Sequence, residues 1–539
     1  MSVFCPCIFP LRASFGTIAF HTYVFIWSAL VFQSGDSMSA HYRDPKRWLV
    51  LIAVMLAFLP VVIDMTVLHV AVPTLTQSLG ASSTEMLWII DIYPLLMAGL
   101  LVPMGTLADR IGNRKVLLTG LTIFGTASVI AAFSQSASML IAARVLLALG
   151  GSMIVPCVLG TIRRTFEDDS ERAIALGMWG TVGSAGAAVG PLVGGGLLEH
   201  FWWGSVFLIN VPVMLLVAPT CYMLLSRHEP TSSGKWALGQ ALLLIAGMIS
   251  LVYAVKAGFS GSQPMVILLP IVAFGLAMLW LFARKQLRSD NPMLDLSLFS
   301  HPAIVAGMVM ALVATGALAG VELTLAQELQ YVIGKTPLDA GLFMIPIMVA
   351  AGIGGPIAGF LSNMFGLRLV ATASLLVGAA ALAFLGRADF HDPGLLVPLA
   401  LAVVGLTLSI GLTASSIAIM GSVEPEKGSA AGALEGTGYE LGTGLGITLF
   451  GVFMASVFSQ ALQVPPDLTQ HLAQQASRSI GDTYLVASQL PAEQAAALIA
   501  AGKAAFSGAH VTLLSVAASV IAVLAIAVYF LLASYRKPA

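Results

Sequence analysis

Six ionisable side chains lie inside long apolar stretches of this sequence: Asp64, Asp91, Arg144, Glu322, Glu435 and Glu440. A charge at bilayer depth costs about 2.5–3.5 kcal/mol on insertion scales, so such groups face a cavity or a partner. A carboxylate held there can exchange a proton for a cation. Asp64 stands sixteen residues beyond Trp48, roughly 24 Å along a helix, and Asp91 and Arg144 are expected at comparable depth. Asp64 is thus read as a proton-coupling carboxylate tuned by Arg144, with a purely structural ion pair as the alternative. Glu322-Leu-Thr324 echoes Asp64-Met-Thr66, and its alternative is a hydrated carboxylate at the outer mouth. Glu435 and Glu440 are five residues apart, so they point about 140° from each other and cannot share one narrow helical stripe. Glu435 is preferred as the cation or proton site, with structural pairing among the surrounding glycines as the competing reading. Trp88, Tyr93, Met178, Trp179 and Tyr439 are candidate pocket residues, since aromatic faces attract a cationic nitrogen and a thioether adapts its shape, although ordinary packing would use the same residues.

These side chains need elements to hold them. The chain has 539 residues, 58% hydrophobic and 9% charged, with mean hydropathy +0.93, which makes it a polytopic membrane protein. Runs of about 20 apolar residues satisfy their own backbone as helices, so the fold class is all-α. Fourteen spans are expected, at 48–72, 86–107, 115–134, 138–162, 173–198, 204–226, 237–257, 264–284, 303–326, 338–361, 367–386, 394–420, 430–459 and 509–535. With Trp48 on the cytoplasmic side, Lys and Arg outside the spans divide 18 inside to 4 outside, which places both termini in the cytoplasm. The segment 460–508 is then an outside loop, in which Pro491 to Ala505 is a candidate short surface helix. Residues 1–37 carry an apolar run that is read as an over-extended reading frame with Met38 as the start, a signal peptide or an extra helix being the alternatives; 38–47 form a basic cytoplasmic lead.

A polar knot between spans 2 and 3, comprising Gly105, Leu107, Ala108, Asp109, Arg110, Gly112, Arg114 and Lys115, recurs 254 residues later as Gly359, Leu361, Ser362, Asn363, Met364, Gly366 and Arg368. Gly80 and Gly334 repeat at the same offset. The chain therefore reads as two six-helix halves, 48–226 and 303–535, with a two-helix insert at 237–284, an arrangement suited to rocking around a central site. In span 5, Gly186, Gly190 and Gly194 make a smooth seam at i, i+4 and i+8, followed by Gly195, while Pro191 removes a backbone donor and bends the helix. A generic tight helix crossing is the plainer reading of the same glycines.

These motifs resemble the major facilitator superfamily over nearly all of 48–535. The knot is similar to its signature loop, the span 5 glycines to the antiporter motif, and Asp64, Thr66, Ala71, Pro73, Phe207, Asn210 and Pro212 to the fourteen-helix drug:proton antiporters, among them the methyl viologen and quaternary ammonium efflux pumps. Two departures stand out: Ala148 replaces the usual first glycine of the span 4 motif, and Glu435 is followed by Gly436 rather than a second acid. The resemblance implies a proton-driven exporter of lipophilic cations in the bacterial cytoplasmic (inner) membrane, acting as a monomer. It also implies that Asp109 latches to a helix N-terminus in the opposite half, near Ser429, with Arg110, Arg114 and Lys115 alongside. Export of an endogenous metabolite and a non-transporting membrane sensor are the alternatives. No Walker loop, metal-site spacing or nucleophile elbow occurs in the sequence, so no cofactor, metal or enzymatic role is expected. A net charge of -1 argues against nucleic acid as a partner.

Overall fold

A computed structural model describes residues 46–226, 238–259, 263–289, 292–423, 428–466 and 468–534. The expectations for residues 1–37 and the start at Met38 lie outside these. The described chain from Arg47 onward is one compact unit of helices: α1 Lys46–Leu79, α2 Ser83–Ile111, α3 Asn113–Ala132, α4 Ala137–Thr165, α5 Asp169–His200, α6 Ser205–Leu224, α7 Leu238–Phe259, α8 Met265–Arg288, α9 Pro302–Val332, α10 Pro337–Phe365, α11 Leu367–Leu385, α12 Leu396–Met420, α13 Gly428–Ala461, α14 Gln470–Ala476, α15 Ile480–Ala487 and α16 Ala492–Leu531. Among the described residues, α1–α13 and α16 are the fourteen helices long and apolar enough to cross a membrane. The two ends of the assembly are named here by α1, as the Lys46 face and the Leu79 face.

Helix boundaries follow local chemistry. Ser82 caps α2 and Glu85 returns the bond to the Ser82 backbone, a capping box that satisfies two orphan donors. α2 stops at Gly112 (φ 101°) and α10 at Gly366 (φ 83°), left-handed conformations that a side chain would strain. Gly80 (φ 59°) and Gly334 (φ 80°) form a second pair at the same offset. The repeat is thus visible in the backbone.

The largest buried apolar cluster runs from Leu51 to Leu225, on α1–α6, and adds Ile245 of α7. A second one gathers α9–α12 and α16 and takes in Val70 of α1. A smaller cluster joins Ala98 of α2, Leu244 and Met248 of α7, Phe282 of α8, Met308 of α9 and Leu434 of α13. α7 and α8 are therefore seated where α2, α9 and α13 meet.

The expected loop 460–508 is different. α14 and α15 fold into a cap on the Leu79 face, and the proposed short helix 491–505 is continuous with the last span as the 40-residue α16. Pro491 starts that helix and no proline lies within it, while the internal Gly502 and Gly508 cost only about 1 kcal/mol each. The cap holds the tip of α9: Tyr484 stacks on Tyr331 at 5.3 Å and donates to its carbonyl at 2.7 Å. Asp482, buried beside Ser479, Arg478 and Ser83, has its carboxyl pushed above the usual range by burial, with those neighbours opposing the shift.

Candidate functional site

Asp64 and Arg144 are salt-bridged and fully enclosed. Arg144 is held from three sides, since its Nε donates to the Ile89 carbonyl at 3.0 Å and its guanidinium lies 4.5 Å above the Tyr93 ring. Gly151 makes room for that ring: a Cβ there would stand 2.6 Å from the Tyr93 hydroxyl. Asp64 Oδ1 and the Tyr93 hydroxyl are buried without a hydrogen-bond partner.

The span 5 glycines fit around this pair. A Cβ on Gly186 would meet Leu59 and Val62 at 3.1–3.3 Å, one on Gly190 the Ile63 carbonyl at 3.3 Å, and one on Gly194 the Val67 side chain at 2.6 Å. The i, i+4, i+8 seam therefore lets α5 lie on the turn of α1 that carries Asp64. On its other side the motif reaches α10. A Cβ on Gly195 would lie 2.6 Å from Leu338 Cα and 2.8 Å from the Pro337 carbonyl, and one on Gly341 would lie 2.8 Å from the Pro191 carbonyl.

Asp91 stands apart from Asp64 and Arg144, although similar depth suggested that the three could interact. Its Oδ2 accepts from Thr448 of α13 at 2.6 Å and lies 2.7 Å from the Lys256 ammonium of α7. The same ammonium sits 3.8 Å above the Trp88 ring. One buried carboxylate thus joins α2, α7 and α13.

Glu322 is 7% exposed and pairs with His69 of α1 at 3.1 Å, so it is no hydrated mouth carboxylate. Glu328 and His510 form another buried pair at 3.8 Å, with Glu328 on a π-helical turn, Glu328–Val332, that ends α9. Glu435 accepts from the Tyr439 hydroxyl one turn on. Glu440 points elsewhere, with Oε2 buried and unpartnered. Trp179 packs on Phe58 at 5.3 Å, while Met178 is 38% exposed. Of the five aromatic and methionine candidates, Trp88 and Tyr93 already hold cations, both belonging to the protein.

Asp109 pairs with Arg164 of α4 at 3.2 Å, and Arg114 donates to the Tyr222 carbonyl of α6 at 2.8 Å. The expected docking point near Ser429 falls among side chains outside the described set. Pattern reading missed His69, Lys256, Thr448, Glu328 and His510 as site residues. Lys256 alone carried a signal of the kind that singled out Arg144, a basic residue at the end of an apolar run.

Several contacts tie α1, α2 and α5 to α9, α10 and α13 towards the Leu79 face: His69–Glu322, Gln330 donating to the Val70 carbonyl at 2.9 Å, Thr448–Asp91, and the Gly195 and Gly341 approaches. Nearer the Lys46 face, Gly177 and Gly180 of α5 and Gly352 and Gly359 of α10 have open space where a Cβ would stand. A cavity of about 560 Å³ opens at the Leu79 face, lined by Ser82, Tyr253, Lys256, Gln327, Arg478 and Phe506 among others.

Residues 54–321 match the family model of the Major Facilitator Superfamily. The chain is 46% identical over 496 residues to the methyl viologen resistance protein SmvA of Salmonella typhimurium, covering 91% of this chain and 99% of that protein. It is 35% identical over 471 residues to the multidrug efflux pump LfrA of Mycolicibacterium smegmatis, covering 86% and 92%. Among solved structures, a bacterial homolog of the human lysosomal transporter Spinster, in an inward-facing and unoccupied conformation, shares the fold at TM-score 0.66 and 18% identity, covering 92% of this chain and all of that one.

Proposed function

The chain belongs to the major facilitator superfamily and is a transporter rather than an enzyme, and we propose that it is a proton-coupled antiporter exporting lipophilic and quaternary cations across a bacterial cytoplasmic membrane. The observation that carries this reading is the burial of Asp64 and Asp91 against Arg144 and Lys256, where each carboxylate can be neutralised by a protein base, a proton or a substrate cation. The extended similarity to a methyl viologen resistance protein supports the substrate class.

In this reading the Lys46 face is cytoplasmic and the Leu79 face outside. α1–α6 and α9–α13 with α16 are two halves that rock around the buried carboxylates, and the close approach of α5 and α10 at Gly195 and Gly341 is where they part. A cation entering from the Lys46 face displaces a proton from the buried acids, and the proton gradient resets them after release. Glu435 and Tyr439 of α13 line the path from the second half. Arg110 and Asp109 belong to the cytoplasmic contact that forms when the Lys46 face closes. The test is proton release in proteoliposomes holding the purified protein and a pH-sensitive dye. Methyl viologen or a quaternary ammonium compound should collapse an imposed pH gradient; a response equal to that of protein-free vesicles would defeat the proposal.

A further inference from the structure

We propose that Trp88 and Asp91 form a cation-release subsite, and that Lys256, carried in by the α7–α8 insert, is a tethered ammonium that occupies this subsite once the exported cation has left. The proposal rests on the cation-export reading above and adds to it the purpose of the insert.

Three features of the geometry point this way. First, one nitrogen lies 2.7 Å from a carboxylate oxygen and 3.8 Å above an indole face, the two contacts by which proteins hold alkylated ammonium ions. Asp91 Oδ1 is buried with no partner, so the acid has capacity for a larger cation. Second, the two buried bases are held differently. Arg144 is fixed by Asp64, the Ile89 carbonyl and Tyr93 through a rigid planar fork, whereas the Lys256 ammonium meets Asp91 and the Trp88 face as a point charge on a four-carbon stem. A compact charge on a flexible stem can withdraw and return. Third, Lys256 lines the cavity of about 560 Å³ at the Leu79 face, a volume within the range of small-molecule pockets. The charged residues lining that cavity are Lys256 and Arg478, so a cation delivered there is repelled onward rather than retained.

Charge balance gives the device its value. A departing cation would leave Asp91 ionised and buried without a counter-charge, which is unfavourable. An ammonium from α7 restores neutrality at once and blocks re-binding from outside. The contact joins α2, α7 and α13, so it forms where those three helices come together.

The experiment is trans-inhibition in proteoliposomes: export of ethidium from the Lys46 side, measured against tetraphenylphosphonium added at the Leu79 side. Lys256→Gln leaves the subsite vacant and should lower the half-inhibitory concentration by about tenfold, from a carboxylate and cation–π contact together. Lys256→Arg should stay near wild type, and adding Trp88→Leu to Lys256→Gln should erase the gain. Unchanged inhibition in an exporting Lys256→Gln protein overturns the proposal, as does a gain that survives loss of Trp88. Should Lys256→Gln fail to fold or to export, reductive methylation of the wild type carries the test. Lys256 should be protected alone and labelled several-fold faster with tetraphenylphosphonium, read by peptide mass, and unaltered labelling overturns the proposal. Absence of wild-type ethidium export would instead sink the export reading itself.

Discussion

Gly195→Ala should shift the balance between the two faces of the transporter without touching any ionisable group. The added methyl would stand 2.6 Å from Leu338 Cα and 2.8 Å from the Pro337 carbonyl. Both obstacles are backbone at the start of α10, which cannot rotate aside as a side chain would. Overpacking of this kind costs about 1–3 kcal/mol. If α5 and α10 separate when the Leu79 face opens, the cost is confined to the closed form, and the open form gains roughly 5- to 150-fold in population. Gly196→Ala is the internal control, because nothing lies within 4 Å of its Cβ position. The assay is labelling of a single cysteine at Val70, a residue of α1 buried in the second core cluster, by an impermeant maleimide in a background lacking the native cysteines. Gly195→Ala should speed labelling from the Leu79 side by at least about fivefold, with Gly196→Ala near wild type. Equal rates for the two variants, or faster labelling from the Lys46 side, would refute the view that this approach holds the Leu79 face shut.

Two further outcomes follow from single buried groups. Asp64→Asn should abolish the coupling of cation export to protons and cost some stability, limited because Arg144 keeps the Ile89 carbonyl and the Tyr93 face, whereas Arg144→Met leaves the buried Asp64 carboxylate without its counter-charge and should destabilise by about 3–5 kcal/mol; melting in detergent and vesicle transport check both, and an Asp64→Asn protein with undiminished proton exchange contradicts the coupling role. Asp482, outside the spans, has a raised pKa from burial, so its neutral form favours the docked cap: the stabilisation is complete below the ordinary value of 3.8 and is lost as pH rises through the raised one. Thermal stability of the cap should increase as pH falls through the raised value towards 3.8 and flatten in Asp482→Asn, and a parallel pH profile in the two proteins would remove the assignment.

What the sequence made legible depended on how much each residue type costs in an apolar run. Asp64 and Arg144 stood out because a charge there is expensive, and their pairing could be anticipated from depth. His69 gave no such signal, since a lone imidazole in an apolar helix looks like a packed side chain until Glu322 is seen 3.1 Å away. The repeat could not reveal that contact either. An offset of 254 relates equivalent positions in two halves, whereas His69 and Glu322 meet across them. Lys256 stands at the end of an apolar run, where a basic residue reads as a span border, and only the seating of α7 beside α2 and α13 carries its ammonium to Asp91. The repeated knot shows the same division between what repeats and what does not. Gly112 and Gly366 share a left-handed backbone, so the turn between helices is a property of both copies. Asp109 and its partner Arg164 belong to one copy, because Asn363 cannot form that ion pair. Both copies share the backbone geometry because each needs the turn, whereas the ion pair depends on a carboxylate that one copy has and the other lacks, so the two knots are alike in shape and differ in charge.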